Sequence, residues 1–398
     1  MKFSKLSQLF LVSTIGLIVA ALLTACQLVT IDYVFVAASA GTAPGSAGQI
    51  YTYAVDAQSG ALRSGASTVS SGGTVPVAMA VTPDYANLYV ANQGNNTIVQ
   101  FAIDGNGVLT QKNSTPLTAP VALAVNSAGT YLYAVSGTAS SGTLTEYALN
   151  SGAIGAAISV PLTVPGYSGD TILPTGVAVL ANSDAVYVSA YDKSAYNPGG
   201  GTSSNANPGW LFGYAVGTGG VLTAVTNSPY ESGVKPSALA TDPASRFVYV
   251  TDFANNALIG YTVQSNHSLD FLVSGSVKTG NEPSAITIDP RGLYIYLSNS
   301  LDSTVSAYSI VLSTGAPSTI SSTSNSTDTE PVAIIVDPAL GRFVYTANYL
   351  GNSISGFVLN PDNGTLATTQ ATPYPTGANP SALAAVPHGN HATQSVTP

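Results

Sequence analysis

Apolar and polar positions alternate along most of this chain in short runs, and the runs repeat. Pro76-Val77-Ala78-Met79-Ala80-Val81 is followed by a turn and then by Leu88-Tyr89-Val90-Ala91-Asn92. The phrase returns as Pro236-Ser237-Ala238-Leu239-Ala240 with Phe247-Val248-Tyr249-Val250-Thr251-Asp252, and again as Pro331-Val332-Ala333-Ile334-Ile335-Val336 with Phe343-Val344-Tyr345-Thr346-Ala347-Asn348. In the first strand the alternation puts Val77, Met79 and Val81 on one side and Ala78 and Ala80 on the other. A period of two, rich in Val, Ile, Tyr and Thr and broken by Asn, Asp, Gly and Pro, predicts strands. The repeat carries no apolar spacing of 3.6 that would predict helices.

Each unit reads as four strands. In the unit opened by Pro76 they are Val77 to Val81, Asn87 to Ala91, Thr97 to Ile103 and one from Val108. Asn, Asp and Gly at the corners supply the positive φ angles that tight hairpins need. An aromatic in the second strand and one in the third stand twelve residues apart in four units: Tyr89 and Phe101, Tyr249 and Tyr261, Tyr296 and Tyr308, Tyr345 and Phe357. The opening prolines are Pro76, Pro120, Pro174, Pro236, Pro283, Pro331 and Pro380. Their period of roughly 45–60 residues is near that of propeller blades and too long for leucine-rich or ankyrin repeats. The N-terminus supplies three strands without an opening Pro strand, and the C-terminus supplies an opening strand and stops. The two fragments complement one another. Residues 30–387 are therefore expected to form an all-β, seven-bladed β-propeller, with four antiparallel strands per blade and one composite blade from both termini.

Charged residues make up 7% of the 398-residue chain, against roughly 25% in an ordinary soluble domain. The formal net charge is −9, and Lys and Arg nowhere cluster, which argues against nucleic acid as a partner. The single cysteine, Cys26, excludes an intrachain disulfide. It closes a leader-like segment: Lys2 and Lys5, an apolar run from Leu9 to Leu23, then Leu23-Thr24-Ala25-Cys26. That tetrad resembles the bacterial lipobox. The resemblance implies an exported protein held on a membrane by acyl chains on Cys26, with residues 1–26 as its signal peptide. A leader cut elsewhere, or one left uncut as an anchor, is the alternative. Residues 388–398 read as a polar tail, and the protein is expected to be a monomer.

Leu88-Tyr89-Val90-Ala91-Asn92 and Val248-Tyr249-Val250-Thr251-Asp252 resemble the name-giving strand of YVTN-type surface repeats. The chain after Cys26 is similar to the seven-bladed lactonase-like propellers. That resemblance implies a pocket at the channel mouth and, in the lactonase branch, hydrolysis of lactones by enzymes similar to 6-phosphogluconolactonase. There the opening strand carries Arg or another polar residue after its Pro, then His. Here the second position holds Val77, Val121, Thr175, Ser237, Ser284, Val332 and Ser381. The third holds Ala78, Ala122, Gly176, Ala238, Ala285, Ala333 and Ala382. A non-catalytic binding or surface-interaction module is thus the leading expectation, and a lactone hydrolase with a rebuilt mouth is the alternative.

Strand counting puts the loop before each opening proline and the loop between second and third strands on one face. Lys235, Glu282 and Glu330 precede prolines of neighbouring units there. They are candidates to grip a small polar ligand, or else solvated loop charges. The longest insertion, between Tyr187 and Tyr214, offers Tyr191, Asp192 and Trp210 as contacts for a glycan or protein partner. In the other reading Trp210 begins a strand and is buried. His267 falls in a turn on the opposite face, and His388 and His391 in the tail. Asp242, Asp289 and Asp337, each before Pro, recur as turn residues. No nucleophile–base pair, cofactor-binding loop or metal-ligand set is evident, so no cofactor is expected.

Overall fold

The computed structural model describes residues 29–43, 45–167, 171–193, 196–197, 201–202, 209–320 and 325–389. Cys26 and the leader, the tail from residue 390 with His391, and most of the insertion after Lys193 lie outside them. Seven antiparallel sheets form the blades of a propeller. Within each, strands a, b, c and d follow in order. In blade 1 they are Pro76–Val81, Asn87–Asn92, Thr97–Ile103 and Leu109–Pro116. In blades 3 to 6 the outermost strand is two short pieces, both paired with strand c.

Blade 7 closes the ring as its sequence halves suggest. Ala378–Pro387 supplies strand a, and Thr30–Ser39, Ala47–Asp56 and Leu62–Thr74 supply b, c and d. Val34, Phe35 and Val36 pair with Ala385, Ala384 and Leu383 and are fully buried. His388, assigned on sequence to the tail, belongs to this joint: its amide donates to the Ile31 carbonyl at 2.7 Å and Nδ1 lies 2.8 Å from the Gly105 carbonyl of blade 1.

The joints between blades explain the twelve-residue aromatic spacing. Tyr249 pairs with Gly260, so Tyr261 is one register step away and projects from the opposite sheet face. The strand b hydroxyl reaches forward to a c–d turn carbonyl of the next blade. Tyr89 donates to Gly152, Tyr187 to His267, Tyr249 to Gly315, Tyr296 to Gly364 and Tyr345 to Gly60, at 2.6–2.8 Å. All five acceptor residues have positive φ, between 64° and 81°. Strand c tyrosines reach back: Tyr53 to Pro375, Tyr261 to Glu231 and Tyr308 to Lys278, at 2.7–2.9 Å. Two joints differ. Phe35 takes the tyrosine's place in blade 7, which His388 compensates, and in blade 2 Tyr133 sits against the buried Glu146, whose carboxyl is pushed up to about 7 by burial.

Asp242, Asp289 and Asp337 are the expected turn residues. Each is fully buried and accepts backbone amides of its own a–b turn. Arg246 and Arg291 also pair with Asp242 and Asp289 through Nε, at 2.9 and 2.7 Å. Asp337 instead meets Asp32, across the joint from blade 6 to blade 7. Asp32 is also fully buried, with the Ala339 backbone amide as the one group that favours its ionised form. A proton on Asp32, donated to Asp337, relieves the repulsion between the two carboxyls. Burial first, and then the Asp337 charge, hold Asp32 far above the usual carboxylate range.

Two outcomes follow. A group whose folded pKa lies above its unfolded one contributes fully at acid pH and loses that contribution as pH rises. Thermal unfolding should therefore show the ring losing stability from pH 4 to pH 8. Asp32→Asn should flatten that dependence and unfold at least about 3 °C higher than wild type at pH 8. Equal slopes would refute the shared proton. Separately, Tyr249→Phe leaves the Gly315 carbonyl without its donor and should lower stability by about 1–2 kcal/mol in urea titrations.

Candidate functional site

A cavity of about 490 Å³ opens on the axis at the face carrying the a-strand prolines. Its wall is built by a feature the alternation of residues does not show. Register shifts in strand a at Pro76/Ala78, Pro120/Ala122, Pro174/Gly176, Pro236/Ala238, Pro283/Ala285 and Pro331/Ala333 mark a β-bulge in each of blades 1 to 6. A bulge re-aims a side chain. The second residue is taken out of the alternation, so Val121, Thr175, Ser237, Ser284 and Val332 line the cavity. This corrects the expectation for Val77, which packs with Ala78 and Ala80 towards blade 2, whereas Met79 and Val81 face blade 7.

The wall hydroxyls already have partners. Ser237 donates to the Pro283 carbonyl, Ser284 to Pro331 and Ser381 to Pro76, at 2.5–2.6 Å, each stitching one blade to the next beside the axis. The third position is small for a packing reason. A Cβ on Gly176 would stand 2.7 Å from Leu239 of the next blade, and Ala122, Ala285 and Ala333 pack into interblade cores.

Lys235 is the cationic residue in the cavity wall. Its Nζ lies 4.2 Å from the ring centre of Phe253 and 5.7 Å from that of Tyr191, both wall residues. Burial lowers the Lys235 pKa, and the charge of Glu282 partly restores it. Glu282 in turn acts on Glu330, whose pKa is raised by burial and then by that repulsion. The three residues proposed from their place before prolines thus form one coupled arc across blades 4, 5 and 6. Glu282 and Glu330 are half-buried and stand beside the cavity rather than in its lining.

Both glutamates have left-handed backbones, φ 55° and 58°, as do Val75, Ala119 and Asn379 before their own prolines. The preceding blade supports this conformation, which costs a non-glycine residue about 1–3 kcal/mol. Asn256 Oδ1 accepts the Glu282 amide at 2.8 Å, as Asn96 accepts Ala119 and Asn352 accepts Asn379.

The insertion residues divide. Tyr191 lines the cavity. Trp210 and Asp192 do not serve as loop contacts: they are 5% and 1% exposed. Trp210 opens strand c of blade 3 and meets Tyr167 edge-on at 4.6 Å, and the Tyr167 hydroxyl donates to Asp192 at 2.6 Å. The apolar neighbours of strand c favour the buried side of the sequence reading for Trp210. Phe253, Gln93 and Thr175 are cavity residues that sequence reasoning did not single out. Gln93 and Phe253 directly follow the Asn or Asp that ends strand b, a recurrent position that could have marked them. Among the described residues no group of three or more His, Cys, Asp or Glu is placed to hold a metal ion.

The family model for lactonase, 7-bladed beta-propeller, matches residues 21–118, 70–168 and 233–393. The chain belongs to this family. No curated protein matched its sequence. Among solved structures it is similar to the periplasmic gluconolactonase of Pseudomonas aeruginosa, with TM-score 0.74, 16% identity and coverage of 90% of this chain and 99% of that one. It is also similar to putative 6-phosphogluconolactonases of Bacteroides uniformis (TM-score 0.71, 15% identity, 90% and 99% covered) and Bacteroides fragilis (TM-score 0.69, 17% identity, 90% and 98% covered). At these identities the structures attest the propeller fold. The lactonase family member described here carries Ala or Gly at the third a-strand position throughout, and its cavity cation comes from a loop instead.

Glu282→Gln removes the charge that raises Lys235 and the repulsion that raises Glu330. Both pKa values should fall, which NMR titration of labelled lysine and glutamate side chains can follow. A shift in neither would show that the arc is not coupled.

Proposed function

We propose that this protein is a lactone hydrolase whose axial cavity binds the lactone of a sugar acid. The observation that carries the reading is Lys235: a partly desolvated cation in the wall of the cavity, in a chain that belongs to the lactonase family. Ester hydrolysis needs a stabiliser for the developing oxyanion and a base for water. Lys235 supplies the first. A carboxylate with a raised pKa suits the second, and Glu330, beside the cavity with Glu282 acting on it, has that property. The Tyr191 and Phe253 rings flank Lys235 and offer apolar faces to a sugar ring.

A second reading is a binding module without chemistry of its own. It is favoured by the wall hydroxyls of Ser237 and Ser284, which are engaged in interblade bonds. We further propose that the protein is exported and held on a membrane through acylated Cys26. The lipobox-like tetrad and the periplasmic origin of one structural relative support this.

Purified protein lacking residues 1–26, assayed on a panel of aldonolactones, should turn over at least one. Lys235→Ala should reduce kcat/KM by about 100-fold or more. Glu330→Gln should reduce kcat and abolish its rise with pH. Saturable binding without turnover would leave the module reading in place and reject the hydrolase.

A further inference from the structure

We infer that the propeller stands on the membrane with its cavity turned away from the bilayer, so that its ligand arrives from the aqueous compartment. The inference rests on acylation of Cys26. Its own content is the direction in which the chain leaves the fold.

Thr30–Ser39 is strand b of blade 7. Its first residues pair with the end of strand a, Asp32 with Pro387, and its last with the beginning, Ser39 with Ala378. Strand a begins at the cavity face in every blade. Strand b of blade 7 therefore starts on the opposite face, among the a–b and c–d turns. At the exit the Val29 carbonyl accepts the Ala57 amide at 2.9 Å, and Arg63 donates to the Thr30 hydroxyl at 3.0 Å. Only Gln27, Leu28 and Val29 separate Cys26 from Thr30. Fully extended, that tether reaches about 14 Å. The ten-residue strand rises about 33 Å towards the mouth. Strand b lies next to the innermost strand, so the tether emerges near the axis and holds the turn face centrally. A tether this short and this central lets the disc tilt but does not let it turn over.

The charges on the turn face indicate how it sits. Asp84, Asp104, Asp184 and Asp362 are exposed there. Arg246 and Arg291 pair with the buried Asp242 and Asp289, while Arg342 is exposed in the a–b turn of blade 6 and Arg63 donates to Thr30 where the chain leaves the fold. An anionic lipid surface acts on such a mixed face only within about one Debye length, ~10 Å. The acyl anchor, rather than the charge of the turn face, therefore does the holding.

The test uses the full-length acylated protein in vesicles of phosphatidylcholine and phosphatidylglycerol that carry a headgroup nitroxide. The Cys26 thiol is acylated, so a thiol-reactive fluorophore labels only an introduced cysteine. Asn106→Cys places it in a c–d turn and Leu301→Cys at the b–c loop of blade 5; both positions are exposed, Leu301 at 65%. The nitroxide should quench the label at 106 several-fold more than the label at 301. Equal quenching, or stronger quenching at 301, would overturn the orientation while leaving the anchor intact. Failure of the protein to float with vesicles, or flotation unchanged in Cys26→Ser, would remove the acyl anchor and the orientation together. Loss of lactone turnover affects neither outcome, so the hydrolase reading stands or falls separately.

Discussion

Everything in this molecule depends on closing the ring. Six blades come from consecutive stretches of chain, and the seventh exists only because Ala378–Pro387 pairs with Thr30–Ser39. Without that pairing two sheets would end in unpaired strand edges and two blade faces would lose their apolar cover. The closing blade is also where the joint chemistry is least regular. Phe35 replaces the latch tyrosine, His388 supplies a substitute contact, and Asp32 shares a buried site with Asp337. Long-range pairing of the first and last strands carries a large loop-closure entropy, which favours closure as a late, cooperative step.

The same closure creates the site. Seven inner strands converge on one axis, and in blades 2 to 6 a β-bulge after the opening proline turns the second residue inward. Blades 2 to 6 thus each deliver one such side chain to the cavity wall. These are Val, Ser or Thr; the two serine hydroxyls are tied to the next blade's proline carbonyl and Thr175 to Ser189 of its own blade. The wall is therefore stiff and nearly neutral. Such a surface gives a single cation a large influence, since little nearby polarity competes with it.

Lys235, Glu282 and Glu330 gain their character from the loops that hold them. Each glutamate is fixed by a left-handed backbone, with its amide facing a polar side chain of the preceding blade. Three sparse charges become one interacting group because the blades are rigidly spaced around the mouth. Trp210 shows the converse. It stands at the end of the long insertion, yet strand c claims it for the core of blade 3.

The sequence alone determined the number of blades, their strand order and the composite seventh blade, because period-two alternation and turn residues are local signals repeated many times. It also placed Lys235, Glu282 and Glu330 on one face, because strand counting is enough for that. It did not determine which a-strand residues face the axis. The bulge shifts the alternation by one residue, and simple alternation put Val77 on the wrong side. It gave no sign that the twelve-residue aromatic spacing encodes hydroxyls reaching both neighbouring blades, because the acceptors are backbone carbonyls 30 or more residues away along the chain. Nor did it bring Asp32 to Asp337, or Phe253 and Tyr191 to Lys235. Those contacts arise between blades, where proximity depends on how sheets pack around the axis and not on distance along the chain.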